Sequence, residues 1–153
     1  MFINTKRFGP VEVKEDQVIT FVSPLLGFGD LAKYIFVQLE EDRHPFEFLQ
    51  SIEDENLTFI VMDPFSFYKE YEFQLESHWI EALNVESEEE LRVMVIVTAR
   101  SAEDITCNLK APIVLNCAKN IAAQIVLEHG DYTTRQSLME GKGEAPDADL
   151  IKK

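Results

Sequence analysis

The chain has 153 residues, of which 46% are hydrophobic, enough apolar material for one domain with a single core. Its formal net charge of −14 lies entirely between Glu40 and Glu90, where sixteen acidic residues face two basic ones, while twelve acids and twelve bases cancel elsewhere. Such a surface repels phosphates and attracts basic proteins. Composition and charge therefore exclude a disordered chain and predict no direct binding of nucleic acid.

The chain start has no apolar stretch or cleavage site of a secretory signal. The densest apolar run, Val93–Val97, is far shorter than a membrane span. The two cysteines, Cys107 and Cys117, lack the spacing of a metal or redox motif, which favours reduced thiols. We therefore expect a cytoplasmic protein without a membrane partner.

Short β-branched or aromatic segments, separated by glycine, proline and acidic turns, predict strands along most of the chain. In chain order these are residues 2–5, 11–13, 18–21, 34–39, 46–50, 57–62, 71–73, 91–98, 105–109, 111–116 and 121–127. The segment 91–98 first alternates and then becomes wholly apolar, which predicts a central strand covered on both faces.

Two short helical pieces interrupt the strands. Ser77 is predicted to cap a helix over residues 78–83, and Ser87 with Glu90 fits a capping box. The fold class is therefore mainly β: a single antiparallel barrel-like or sandwich domain over residues 1–138 with one or two short helices. Residues 139–153 lack periodicity, which predicts a mobile tail.

Motifs for cofactors, metals and catalysis are weak. Gly27-Phe-Gly29 begins a dinucleotide-like pattern, but too few residues follow for the phosphate-binding helix, so we expect a glycine-dependent loop over the sheet. His44, His78 and His129 are scattered, so neither a metal nor a cofactor is predicted. No nucleophile motif is present, so the chain is not predicted to be an enzyme; a small hydrolase using two carboxylates is the less favoured alternative.

The segment from Phe65 to Phe73 holds five aromatic residues interleaved with acids. A strand buries only alternate side chains, so the aromatics either pack under a second covered face or meet a partner. We expect Tyr71 and Phe73 in the core, and at least one of the preceding aromatics exposed, with Tyr68 the choice. The predicted partner-binding residues, from this segment and an acidic loop, are Glu53, Asp54, Glu55, Phe65, Tyr68, Glu70 and Glu72.

Short sequence pieces also match a known family in order and spacing over residues 3–135. They are Phe8-Gly9, Val11–Val13, Ile19–Phe21, Leu26–Phe28, Pro45-Phe46, Leu49–Ser51, Phe59–Val61, Asp63–Phe65, Tyr71–Phe73, Val95–Thr98, Asn108-Leu109, Ala111–Asn116 and Asp131-Tyr132. Taken together, they make the chain resemble the FliW family of flagellar assembly factors. Departures are Cys107 and Cys117, where small or polar residues are usual, and the tail after Leu138.

The resemblance implies a non-enzymatic cytoplasmic protein with a barrel-like β fold and no cofactor. Such a protein binds flagellin before export, and binds the RNA-binding translational repressor CsrA when flagellin is scarce. The acidic block fits this role independently, because a repressor that binds RNA must present basic surface. The alternative from another class is a generic acidic adaptor, or nucleic-acid mimic, for a different basic protein.

Overall fold

The computed structural model describes residues 1–23, 25–37, 46–128 and 130–138. Its strands are β1 (Phe2–Thr5), β2 (Gly9–Glu12), β3 (Ile19–Ser23), β4 (Lys33–Val37), β5 (Phe46–Ser51), β6 (Thr58–Met62), β7 (Leu91–Ser101), β8 (Asp104–Cys107), β9 (Ile113–Asn116), β10 (Ile121–Gln124) and β11 (Gln136–Ser137). One α-helix, α1 (Ser77–Ala82), and three 3₁₀ turns, Glu15–Gln17, Pro64–Ser66 and Glu88–Glu90, complete it. The prediction of a mainly β fold is confirmed.

The described residues leave out the start of the acidic block (residues 40–42), His44, His129, the end of the strand predicted at 34–39 and the tail predicted at 139–153.

Within the described residues, the strands β3, β4, β5, β6, β7, β9 and β10 form a closed ring. Neighbours in this ring pair antiparallel except β3 and β10, which are parallel, with Thr20 opposite Ile121. Outside the ring, β8 pairs with the far end of β7 and carries β11. The strands β1 and β2 form a separate hairpin. The predicted barrel-like architecture is therefore confirmed.

Strand β7 is the central strand that the sequence predicts. It pairs with β6 on one edge, and with β9 and then β8 along the other. Its side chains alternate between two hydrophobic cores: Met94 and Ile96 belong to one, and Val95 and Val97 to the other. Both faces are covered, which explains why residues 93–97 of this strand are apolar at every position.

The interior core fills the ring. It contains Tyr34, Leu49, Val61, Met94 and Ile113, each with at most 3% of its surface exposed. The Tyr34 ring meets Phe21 edge to face, with ring centroids 5.3 Å apart. Its hydroxyl is buried without a hydrogen-bond partner in the described part of the chain. Burial, with nearby carboxylates of Glu53 and Asp54 adding to it, raises the pKa of Tyr34 to about 12.

The glycine-containing loop closes one side of this core. Gly27 has a φ of +88°, a left-handed conformation that glycine adopts without steric cost. The turn brings Phe28 against Phe59, with ring centroids 5.2 Å apart. The predicted glycine-dependent loop over the sheet is confirmed.

The structure corrects two details of the predicted helix starts. Ser77 is the first residue of α1 and not its cap; Glu76 occupies the cap position and makes no side-chain capping bond. Ser87 does cap the turn Glu88–Glu90 by accepting a hydrogen bond from the Glu89 amide. The Glu90 carboxylate, however, accepts from the Glu86 amide, so the reciprocal bond of a capping box is not made.

A candidate partner-binding surface

The second core lies outside the ring, beneath residues 63–76. Asp63 begins this segment by accepting a hydrogen bond from the Phe65 amide, 2.8 Å away, which starts a 3₁₀ turn at Pro64. Beyond the turn, Tyr71 is buried, and its hydroxyl donates a 2.7 Å hydrogen bond to the Leu109 carbonyl. Burial raises the pKa of Tyr71 above its ordinary value. The aromatic segment is therefore first of all the cover of this outer core.

The strand predicted at residues 71–73 is wrong, because this stretch pairs with none of the strands that the structure describes. A side chain takes the place of the neighbouring strand: the Tyr132 hydroxyl accepts from the Glu72 amide at 3.1 Å and donates to the Glu72 carbonyl at 3.2 Å. The prediction of which side chains are buried and which are exposed is nevertheless confirmed. Tyr71 is buried, Phe73 packs against the outer core, and Glu72 is exposed.

Two surface grooves lie on either side of a ridge formed by residues 72–74. The first, here called the Trp79 groove, has a volume of about 660 Å³. Its apolar lining comes from Phe73, Trp79, Ile125, Val126, Leu127 and Tyr132. Its acidic rim consists of Glu72, Glu76, Glu128 and Asp131, all exposed to water.

The second, here called the Ile80 groove, has a volume of about 590 Å³. Phe65 and Ile80, each 40% exposed, stand at its surface, and two acids, Glu72 and Glu88, line it. Large apolar side chains beside exposed acids give the surface an apolar centre with a charged border. That is the composition of a protein–protein interface.

The predicted site residues of the aromatic segment have different environments. Phe65 is exposed and lines the Ile80 groove, Glu72 lies on the ridge, and Glu70 is exposed close by. The prediction that at least one aromatic is exposed is confirmed by Phe65. The choice of Tyr68 as the exposed aromatic is wrong, because Tyr68 is half-buried, and its role in partner binding stays a prediction.

Tyr68 is half-buried because both its ring and its hydroxyl contact the outer core. Its ring packs against that core, and its hydroxyl donates to the Ser137 carbonyl of β11 at 3.2 Å. Burial raises the pKa of Cys107 to about 12, and the neighbouring Tyr68 hydroxyl opposes this rise only in part. Cys107 is therefore a protonated core residue at neutral pH, whereas Cys117 is exposed.

The acidic loop of Glu53, Asp54 and Glu55 lies apart from both grooves. It connects β5 to β6, and Thr58–Met62 separates it from the aromatic segment by about 17 Å of extended strand. Glu53 also has a structural role, since its carboxylate accepts hydrogen bonds from the Ala32 and Lys33 amides at 2.9 and 3.1 Å. The five predicted acids therefore lie in two separate regions, one in the loop between β5 and β6 and one in the aromatic segment.

Sequence reasoning missed the other wall of the Trp79 groove. Val126, Glu128 and Asp131 follow β10, whereas the apolar run 121–127 predicts an uninterrupted strand. Tyr132, with Asp131, was found only as part of the family pattern. The exposed Val126 could have been recognised only with knowledge of which face of this run meets water.

Comparisons with known proteins agree with this architecture. The family model described as FliW protein matches residues 2–138. The flagellar assembly factor FliW of Bacillus licheniformis is 42% identical over 139 residues, covering 90% of this chain and 96% of that protein. The chain belongs to the FliW family. The FliW of Clostridium kluyveri is 40% identical, covering 93% of this chain and 98% of that protein.

A solved structure supports the same assignment. The crystal structure of a flagellar assembly factor FliW matches with a TM-score of 0.85 and 34% identity, covering 93% of this chain and 99% of that one. The resemblance to the FliW family is thus confirmed in sequence and in fold.

Among the described residues of this FliW-family chain, the acids and histidines do not gather into a group suited to metal binding or acid–base chemistry. In the part of the chain that the structure describes, no group of three or more His, Cys, Asp or Glu side chains could hold a metal ion. The four acids of the Trp79 groove are exposed, whereas a carboxyl tuned for proton transfer is normally buried. No helix among the described residues is long and apolar enough to cross a bilayer.

Proposed function

We propose that this protein is a cytoplasmic flagellar assembly factor that binds flagellin and, when flagellin is scarce, the RNA-binding repressor CsrA. Binding of CsrA relieves repression of flagellin synthesis, so synthesis follows export. Membership of the FliW family supports the flagellar role, since the relatives are named as flagellar assembly factors. No catalytic step is part of this function.

The pair of grooves on either side of the ridge of residues 72–74 is the observation that carries the proposal. Phe65, Ile80 and Val126 expose 40, 40 and 47% of their surfaces there, next to acids on the rim. A partner segment with an apolar face flanked by lysine or arginine complements this arrangement. An RNA-binding repressor must carry such basic residues.

The acidic loop has a different proposed role. Glu53, Asp54 and Glu55 lie away from the grooves and add to the long-range field, which raises the rate at which a basic partner arrives. Glu55 is the best residue at which to test this, because it is exposed, whereas Glu53 also holds the Ala32 and Lys33 amides. Glu55→Lys should lower the association rate at low salt and leave dissociation unchanged.

Calorimetric titration of the purified protein with flagellin and with CsrA tests the proposal. We expect each to bind, each to weaken the other by the same factor, and CsrA binding to weaken with salt, because exposed charges are screened beyond about 8 Å at physiological ionic strength. A ternary complex with undiminished affinities would contradict the switch. If neither binds while another basic protein does, the acidic-adaptor alternative is favoured.

A single substitution tests the location of the site. Phe65→Ser removes an exposed ring of the Ile80 groove and should weaken partner binding by about 1–2 kcal/mol. The matched control is Leu26→Ser, which removes a side chain 55% exposed in the glycine loop that lines neither groove. Equal affinities for the two variants would show that the partner binds elsewhere.

A further inference from the structure

The ridge of residues 72–74 is extended, and one of its two sides is already paired. Side chains along residues 71–76 alternate between the outer core and water: the inward ones are Tyr71, Phe73 and Leu75, and the exposed ones are Glu72, Gln74 and Glu76. A period of two is that of an extended backbone. The Glu72 amide and carbonyl both bond to the Tyr132 hydroxyl, as the two groups of a strand residue bond to a neighbouring strand.

The other side of the ridge is open. In an extended chain the main-chain groups of successive residues point to opposite sides, so those of Phe73 and Leu75 point away from Tyr132. Tyr132 lines the Trp79 groove, whereas Leu75 lines only the Ile80 groove. Among the described residues, the amides and carbonyls of Phe73 and Leu75 have no hydrogen-bond partner. The ridge therefore presents unpaired donors and acceptors to the Ile80 groove, and another strand can add to such an edge.

The lining of the Ile80 groove suits the side chains of an added strand. Leu91 and Val93 of β7 and Val114 of β9 line this groove, whose volume is about 590 Å³. The strands β7 and β9 pair with each other there, with Val93 opposite Val114, so they offer no free edge in competition with the ridge. Every second side chain of an added strand would face this lining and must therefore be apolar.

The remaining side chains of an added strand would lie in water beside acids. Glu72 and Glu88 line the groove, and no lysine or arginine is among the described residues that line it. Opposite charges at facing positions of two strands stabilise their pairing, whereas like charges oppose it. A second copy of the ridge would place its own acids beside Glu72, so self-pairing is disfavoured. The complementary segment alternates apolar residues with lysine or arginine.

We propose that the Ile80 groove binds an extended, alternating apolar and basic segment of a partner by strand addition to the ridge, with main-chain hydrogen bonds to Phe73 and Leu75. Tyr132 is the positioning residue, because its hydroxyl holds the Glu72 peptide from the opposite side. Its ring is itself held edge to face on Tyr71, with ring centroids 4.7 Å apart. The strand addition requires no particular protein, whereas the identity of the natural partner rests on the proposed function.

The peptide Lys-Val-Lys-Val-Lys-Val, with blocked ends, tests this mode of binding in an NMR titration of the full chain. Hydrogen exchange of the Phe73 and Leu75 amides should slow on binding, while exchange of the Gln74 amide, which points to the other side, should not. Two further peptides carry N-methyl groups on the valines or on the lysines. One of them should lose about tenfold in affinity, because only alternate amides face the ridge, and which one it is gives the strand direction.

Three variants test the contribution of the ridge. Tyr132→Phe keeps the ring but frees the Glu72 peptide, so peptide affinity should fall about fivefold as the ridge loses its fixed position. Glu72→Lys should weaken the peptide about as much, because it replaces attraction by repulsion. Glu12→Lys is the matched control: it makes the same change of charge in the separate β1–β2 hairpin, lines neither groove, and should leave affinity unchanged at physiological salt.

Competition separates this mode of binding from the proposed function. If the peptide slows exchange at Phe73 while flagellin and CsrA bind without displacing it, strand addition is supported and the proposed function must place its partners elsewhere. Strand addition is overturned if the peptide does not bind, or if it binds without slowing exchange at Phe73, whatever flagellin and CsrA do. Equal affinities of the two N-methylated peptides would overturn it as well.

Discussion

The interior core and the outer core are built from the same strands but enclosed differently. The ring of hydrogen-bonded strands surrounds the interior core, and the buried Tyr34 hydroxyl has no hydrogen-bond partner among the described residues. Loop residues, α1 and the two-residue strand β11 cover the outer core, where the Tyr71 and Tyr68 hydroxyls both have partners. Hydrogen-bonded strands thus keep water out of the interior core. Side-chain hydrogen bonds hold the cover of the outer core in place, and the two grooves lie beside this cover.

The largest expected effect is a difference in how the two cores tolerate a cavity. Leu49→Ala in the ring should cost about 4–5 kcal/mol of unfolding free energy, because the surrounding strands cannot collapse into the space. Leu138→Ala, under the outer cover beside β11, should cost about 2–3 kcal/mol, because its neighbours can relax. Both side chains are almost fully buried, at 1 and 3% exposure. Urea denaturation measures both, and equal costs would refute the difference in rigidity.

Removing one hydroxyl from each core should change stability in opposite directions. Tyr34→Phe deletes a buried group without a partner and should stabilise the fold by about 1–2 kcal/mol. Tyr71→Phe leaves the Leu109 carbonyl without its 2.7 Å hydrogen bond and should destabilise it by about 1–2 kcal/mol. Thermal unfolding of the two variants gives the comparison. A destabilising Tyr34→Phe would mean that a water or polar group satisfies this hydroxyl.

Alkaline pH should lower the free energy of unfolding, because both cores contain buried tyrosine or cysteine side chains that can lose a proton. Tyr34, Tyr71 and Cys107 have raised pKa values when folded, so they keep their protons after the unfolded chain begins to lose its own. Their contribution to stability is complete below pH 9, the ordinary value for cysteine, and is lost as the pH rises toward 12. Tyr34→Phe should reduce the slope of this loss above pH 10 by about 1.4 kcal/mol per pH unit. An unchanged slope would mean that Tyr34 ionises equally in both states.

Much of this arrangement follows from the sequence, and the exceptions have physical causes. The apolar run of β7 indicates two covered faces, because every side chain needs an apolar environment. The alternation of Tyr71, Glu72 and Phe73 predicts their faces, but an extended loop produces the same alternation as a strand. The partner of that loop, Tyr132, lies sixty residues away, beyond the reach of any local pattern.

The site was only partly predictable, because the contacts of its residues also involve partners distant in the sequence. Acidic and aromatic composition identified Phe65 and Glu72 at the grooves. The hydroxyl of Tyr68 favours a surface position, because it tolerates water, yet the fold supplies the Ser137 carbonyl as its partner. Glu53 belongs to the acidic block, but its carboxylate accepts hydrogen bonds from the Ala32 and Lys33 amides, 21 and 20 residues earlier in the chain. Composition gives the charge of a region and not the contacts of each acid.

The parallel pairing of β3 with β10 has a consequence for how the chain folds during synthesis. Thr20 lies opposite Ile121, and the Asn120 side chain donates to the Asp16 carbonyl, 104 residues earlier. The ring therefore cannot close until β10 has been translated, and until then the edge of β3 stays unpaired and open to association with other chains. Such distant pairing also slows folding. Since Tyr132 is translated later still, an incomplete nascent chain has no Trp79 groove and cannot sequester a partner there.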